Sequence, residues 1–271
     1  MLDILSYGFF QNALIAGLLV SVACGIMGTY VVVRKIAFIG GGISHAAFGG
    51  IGLGYFLGFQ PIIGAFIFSL ASAIGIGEVS RRGGEHEDTL IAAMWSLGMA
   101  LGVLFISLTP GYAPDLMTYL FGNILFVPLE DLIMMLLLDC LIIGLVVLFY
   151  NEFLAVSFDE EFATITNVPV ERVYLLLLCL IAVTVVMLIR VVGVILLIAL
   201  LTLPAAIARQ YSISLPRIMG IAIILGAIFT FAGMWISYIA DVPSGATIII
   251  VSVFAYAISI IWKKSVSGFL R

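Results

Sequence analysis

The sequence predicts an all-α polytopic membrane protein of about nine transmembrane helices, with the N-terminus outside and the C-terminus inside. Three observations predict it. Of 271 residues, 64% are hydrophobic and only 10% charged, with a mean hydropathy of +1.32; a soluble domain carries about a quarter of its residues charged. The apolar runs are long and uninterrupted, unlike the alternating segments of a β-barrel, so helices are indicated. Lysine and arginine, finally, fall in every second loop.

Hydropathy and charge punctuation place the spans at 10–33, 37–58, 61–77, 90–108, 132–150, 173–189, 191–208, 218–238 and 245–262. Arg34 and Lys35 follow the first, Arg81 and Arg82 the third, Arg172 the fifth, Arg209 and Arg217 the seventh. Lys263, Lys264 and Arg271 follow the ninth. Positive charge marks the cytoplasmic side, which fixes the orientation. Arg190 is the misfit, and a tight outer turn lets it snorkel to the headgroups. The first run follows Asp3 without a basic leader and reads as a retained span. The whole chain, 1–271, reads as a single transmembrane domain, with its longest inner loop at about 151–172.

The second span is the unusual one. Arg34–Gly58 holds eight of the 28 glycines and one of the two histidines. Gly42, Ala46, Gly50, Gly54 and Gly58 recur every fourth residue, a stripe that permits close helix approach where lipid supplies no hydrophobic drive. Gly41, His45 and Gly49 form the neighbouring stripe. His45 falls roughly 12 Å along the helix, close to the middle of a hydrocarbon core about 30 Å thick. An ionisable ring at that depth marks a functional site, or locks two helices by bonding a carbonyl.

Outer segments are a tight turn at Phe59–Gln60–Pro61, an amphipathic stretch Thr109–Asp131, and the turn Ile239–Ser244. Tyr112, Tyr119 and Phe126 suit the headgroup level. Asp3, Asp115, Glu130, Asp131 and Asp241 bias that mouth towards cations, or are simply solvated. Among inner loops, His86 between Glu85 and Glu87 reads first as a solvated loop residue, and otherwise as a group that passes a metal onward at the exit. In Asn151–Arg172, the stretch Phe158–Thr166 alternates acids with Phe162 and Ile165 as a short surface helix does, ending at Pro169. Exposed aromatics there invite a partner protein, and the acids disfavour anionic lipid.

Several chemistries are excluded. No phosphate-binding GxxxxGK[ST] loop occurs, there is no HExxH, and Ser44 and His45 are adjacent, pointing about 100° apart on a helix, so they form no dyad. Asp139 stands alone in the fifth span, not as one of a pair. Cys24, Cys140 and Cys179 lie in apolar runs without CxxC spacing and read as small buried hydrophobes. No basic patch supports nucleic-acid binding. What remains is a passive conduit energised elsewhere, or a stand-alone ion-coupled metal carrier or channel using Asp139 and His45, or a membrane scaffold.

The chain resembles, in six ordered blocks, the integral-membrane permease of ATP-binding-cassette importers for zinc, manganese or iron. The blocks are VVVRKIAFIGGGISHAAFGG, EDTLIAAMWSLGMALGVLF, DLMTYLFGNIL, FDEEFATITNVPVERV, VVGVILLIALLTLPAAIA and DVPSGATIII, between residues 31 and 250. The resemblance implies a homodimer, two cytoplasmic ATPase subunits that use the ATP, an external metal-binding protein, and a transported divalent metal ion with no permanently bound cofactor. It implies a path past His45, with Gly41, Gly42, Ala46, Gly50 and Gly54 beside it. It also implies that Asp159–Pro169 (Asp159, Glu160, Glu161, Phe162, Ile165, Val168, Pro169) seats on the ATPase. One departure stands out. The family commonly carries an acid four residues before the histidine, where Asp and His share one helix face; here that position is Gly41. Asp139 fills in, or a transient waypoint needs only one ligand, or the cargo differs.

Overall fold

A computed structural model of the chain describes residues 8–83, 87–110, 119–120, 122 and 124–269. Asp3, Glu85, His86, Tyr112, Asp115 and Arg271 lie outside them. Among the described residues the helices run α1 (Gly8–Val33), α2 (Ile39–Leu57), α3 (Pro61–Gly83), α4 (Glu87–Leu108), α5 (Leu129–Leu148), α6 (Tyr150–Phe158), α7 (Glu160–Ile165), α8 (Val170–Tyr211), α9 (Leu215–Ala240) and α10 (Ser244–Phe269). Seven of them, α1, α3, α4, α5, α8, α9 and α10, are long and apolar enough to cross a membrane. α2 is helical over 19 residues, but its glycines and His45 dilute its hydropathy.

α8 decides how the chain is laid out. Its 42 residues would reach about 63 Å as one rod, twice a hydrocarbon core. It is not one rod. Gly193 takes φ 73° and ψ 166°, outside the helical region and open to glycine alone. Near the start of α8, the Tyr174 ring lies 4.3 Å beneath the Arg34 guanidinium. Near its end, Arg209 donates to the Val32 carbonyl. Both ends therefore meet the same end of α1, and the chain doubles back at Gly193. Around the bend Val186, Ile189 and Val194 pack together with Ile51 of α2 and Ala65 of α3. The two limbs correspond to the expected spans at 173–189 and 191–208.

α1, α2 and α8 are the most buried helices, and α4, α5 and α10 present most of their surface outward. Tyr30 of α1 is fully buried and its ring packs on Phe153 of α6, 5.5 Å between centroids. Cys24 is buried as expected, whereas Cys140 lies on the outward face of α5 and Cys179 is half-buried; polarity alone does not tell a helix's inner face from its lipid face.

Three local expectations need correction. Arg190 does more than snorkel: its guanidinium sits 3.4 Å from the Asp131 carboxylate at the start of α5. The surface helix is not ended by Pro169. It ends at Thr166, after which Asn167 adopts a left-handed φ of 61°, while Pro169 caps the start of α8; asparagine tolerates that conformation better than most residues. The inner loop also begins with a further helix, α6, split from α5 by a break at Phe149. At the other face, Phe126 is exposed and stacks on Phe9 at 5.9 Å, while Tyr119 shares a 2.9 Å hydroxyl contact with Tyr55.

Candidate functional site

The small-residue stripe of α2 is used up by packing inside the chain. A Cβ on Gly50 would stand 2.0 Å from the Gly64 carbonyl oxygen of α3, and one on Gly54 2.7 Å from Pro61 Cα. On the other flank, a Cβ on Gly42 would meet Ile91 of α4 at 2.7 Å, and one on Gly52 would meet the Gly102 carbonyl at 2.7 Å. Within one chain Gly42, Ala46, Gly50 and Gly54 are buried and α2 is wedged between α3 and α4. The partner stripe was overlooked. Gly98 and Gly102 of α4 have the four-residue spacing of close-packing helices, and a Cβ on Gly98 would lie 2.4 Å from the His45 carbonyl.

That contact fixes where His45 points. The imidazole is 9% exposed and faces α4, stacked on the Trp95 ring at 4.3 Å and 21°. Its Nδ1 lies 3.0 Å from Met99 Sδ. Trp95 and Met99 are four residues apart, on one face of α4, and both are half-buried. Gly41, one turn before His45, leaves room for the indole: a Cβ there would stand 2.5 Å from a Trp95 ring carbon. Ser44, next to the histidine, donates to the Gly41 carbonyl at 3.0 Å and has no contact that would make it a nucleophile's partner.

Asp139 is placed elsewhere. It is 3% exposed, neither carboxyl oxygen has a hydrogen-bond partner, and α5 packs on α1 with Cys24 close to the carboxyl. Within one chain it does not join the imidazole, so it does not replace the acid lost at Gly41 there. A buried polar group without a partner is destabilising by about 1–3 kcal/mol, and an apolar side chain of similar shape removes that penalty. Asp139→Leu is therefore expected to raise the thermal unfolding midpoint and leave metal uptake unchanged. Lost uptake in that variant would return the acid to the transport route.

The segment Phe158–Pro169 is built by short-range contacts and one cation. Asp159 caps α7, its carboxylate accepting from the Phe162 amide at 2.9 Å. Ala163 is fully buried and its carbonyl accepts from the Val168 amide at 3.0 Å. Arg34, at the end of α1, reaches across to the Glu160 carboxylate and the Val156 carbonyl. Glu161, Phe162, Ile165 and Pro169 face outward and Val168 is half-buried. Asp241 sits exposed at the opposite end of α9, in a left-handed turn at φ 52°.

The sequence model of the ABC 3 transport family matches residues 6–263. An uncharacterized membrane protein of Synechocystis sp. is 50% identical over 97% of this chain and 94% of its own length. The manganese transport system membrane protein MntC of Halalkalibacterium halodurans is 35% identical over 95% of this chain and 88% of its own. Among solved structures, PsaBC from Streptococcus pneumoniae in complex with Fab superposes with a TM-score of 0.84 at 33% identity, covering 95% of this chain and 93% of that one. A matched family model spanning nearly the whole chain, relatives above 30% identity along most of their length, and membrane-length helices together make this a multi-pass cell-membrane protein of the ABC 3 transport family.

Proposed function

We propose that this chain is the membrane-spanning permease subunit of an ATP-driven importer of a divalent transition metal ion (zinc, manganese or iron). Two copies form the translocation path as a homodimer. Two separate cytoplasmic ATPase subunits seat on Asp159–Pro169 and hydrolyse the ATP, and an external metal-binding protein delivers the ion to the outer face near Asp241. The chain forms one transmembrane domain of about nine crossings, counting α2 and both limbs of α8, with its N-terminus outside. The permease carries no nucleotide site of its own.

The observation that carries this reading is His45: an imidazole held about two turns into a glycine-packed helix, in a chain whose relatives include manganese transport proteins. Intramembrane ionisable groups mark ion pathways. Conduction needs binding weak enough to release, so few ligands per chain suit a waypoint. A ring nitrogen ligates only when deprotonated, so uptake falls as pH drops through the histidine's titration range. His45→Ala in the complete importer, reconstituted in vesicles and assayed for metal uptake with ATP, is expected to reduce uptake at least about tenfold, the loss of roughly 1.4 kcal/mol of ion stabilisation or more. Wild-type uptake in that variant would remove the histidine from the path.

A further inference from the structure

We propose that α4 supplies the second donor of the cargo site, with Met99 Sδ and His45 Nδ1 forming a neutral nitrogen–sulfur pair that selects a borderline-to-soft transition metal ion over manganese. This rests on the importer reading above and names the cargo class of the same site.

The geometry comes first. The two donor atoms lie 3.0 Å apart. Zinc-type ions hold imidazole nitrogen at about 2.0–2.1 Å and thiolate sulfur at about 2.3 Å, a lower bound for a thioether. Two donors at those lengths and 3.0 Å apart subtend roughly a right angle, and a few tenths of an ångström of methionine movement opens it towards tetrahedral. Methionine is unbranched and moves easily. The stacked Trp95 ring holds the imidazole plane, so the sulfur does the adjusting.

The sequence departure at Gly41 has its structural counterpart here. Any side chain at 41 would run into the Trp95 ring, since even a Cβ would stand 2.5 Å from it. An acid at 41 requires the far edge of the indole to swing aside; with the ring where it stands, α4 offers sulfur where the carboxylate is missing. Among the described residues no group of three or more His, Cys, Asp and Glu could hold a metal. Asp139, the buried acid with no partner of its own, packs against α1 beside Cys24. The donor set at His45 is therefore uncharged, and a second copy bringing its own pair would double it.

Charge and softness then set the preference. Manganese favours carboxylate, carbonyl and water oxygen, whereas thioether and imidazole suit copper(I), zinc and similar ions. A hard dication surrounded by neutral, poorly matched donors loses its water without adequate replacement. A softer ion recovers more of that loss through the nitrogen and sulfur bonds.

The test uses the complete importer in vesicles, with zinc, copper(I) and manganese each supplied separately to wild type, Met99→Leu and Gly41→Asp/Trp95→Ala. Wild type is expected to take up zinc at least about tenfold faster than manganese, equivalent to roughly 1.4 kcal/mol. Met99→Leu is expected to lose most of that uptake while keeping its ATPase partners, and the double variant to shift preference towards manganese. X-ray absorption of the metal-loaded protein, on variants whose unfolding midpoint matches wild type, reads the sulfur scatterer directly, present in wild type and absent in Met99→Leu. Manganese moved fastest by wild type, or a spectrum without sulfur, overturns the proposal and leaves the importer reading standing. Uptake of all three metals without ATP overturns the importer reading instead.

Discussion

Gly50→Leu is expected to abolish assembly of the permease, and uptake with it. The two backbones meet where Gly50 and Gly64 cross: a Cβ on either glycine would stand 2.0 Å from the other's carbonyl oxygen. No side chain can rotate away from that clash, because the obstacle is main chain. Overpacking a well-filled site ordinarily destabilises by about 1–3 kcal/mol, and a leucine adds three carbons beyond the Cβ that already fails to fit. Separating α2 from α3 also pulls α2 from α4, since α2 is the helix both pack on. Gly144→Leu is the matched control. An added Cβ there meets nothing within 4 Å, on an exposed stretch of α5, so it is expected to be neutral. Size-exclusion profiles and thermal unfolding midpoints of the detergent-solubilised variants separate the two. A normal profile for Gly50→Leu would mean that α2 and α3 do not cross as described.

Removing the apolar side chains of α7 is expected to uncouple the machine while leaving the membrane body intact. Phe162 is 58% exposed and Ile165 74% exposed, on a helix of six residues that is too short to stand alone. Its position is held from beneath by buried Ala163, by the Asp159 cap and by the Arg34–Glu160 pair. The two apolar side chains contribute little to that anchoring and remain available for a partner. Aromatic anchors at protein interfaces typically contribute about 2 kcal/mol or more each, roughly thirtyfold in affinity. Phe162→Ala/Ile165→Ala should therefore lose the ATPase subunits on co-purification and reduce uptake by at least about tenfold, with an unchanged unfolding midpoint for the permease alone. Arg34→Ala should also weaken coupling, but through a loosened α7, and it should lower the midpoint as well.

Much of this was legible in the residues, and the failures share a cause. The α2 stripe announced close packing because its period matches one helix face, and Arg190 punctuates the long apolar run just before the bend at Gly193. The stripe's partners were visible in principle, since Gly98 and Gly102 repeat the same spacing, yet nothing local says which glycine face meets which. The Arg190–Asp131 pair, the Trp95–His45 stack and the Met99 contact join residues about 50–60 positions apart, and pairings of that range are set by packing across the whole bundle. Asp139 is the opposite case. A lone acid in an apolar run reads as functional, and only its placement against α1 separates it from the histidine. Pro169 shows a smaller version: proline both ends and begins helices, and here it begins one.

The central claim is that metal passes through this membrane body only when a separate ATPase moves it. The direct measurement is metal accumulation by vesicles containing the complete complex, with ATP, without nucleotide, and with a non-hydrolysable analogue, alongside the permease alone. Accumulation with ATP only, and none for the permease by itself, is the predicted result. Vesicles that fill equally fast without nucleotide, or a permease that fills them unaided, would contradict it.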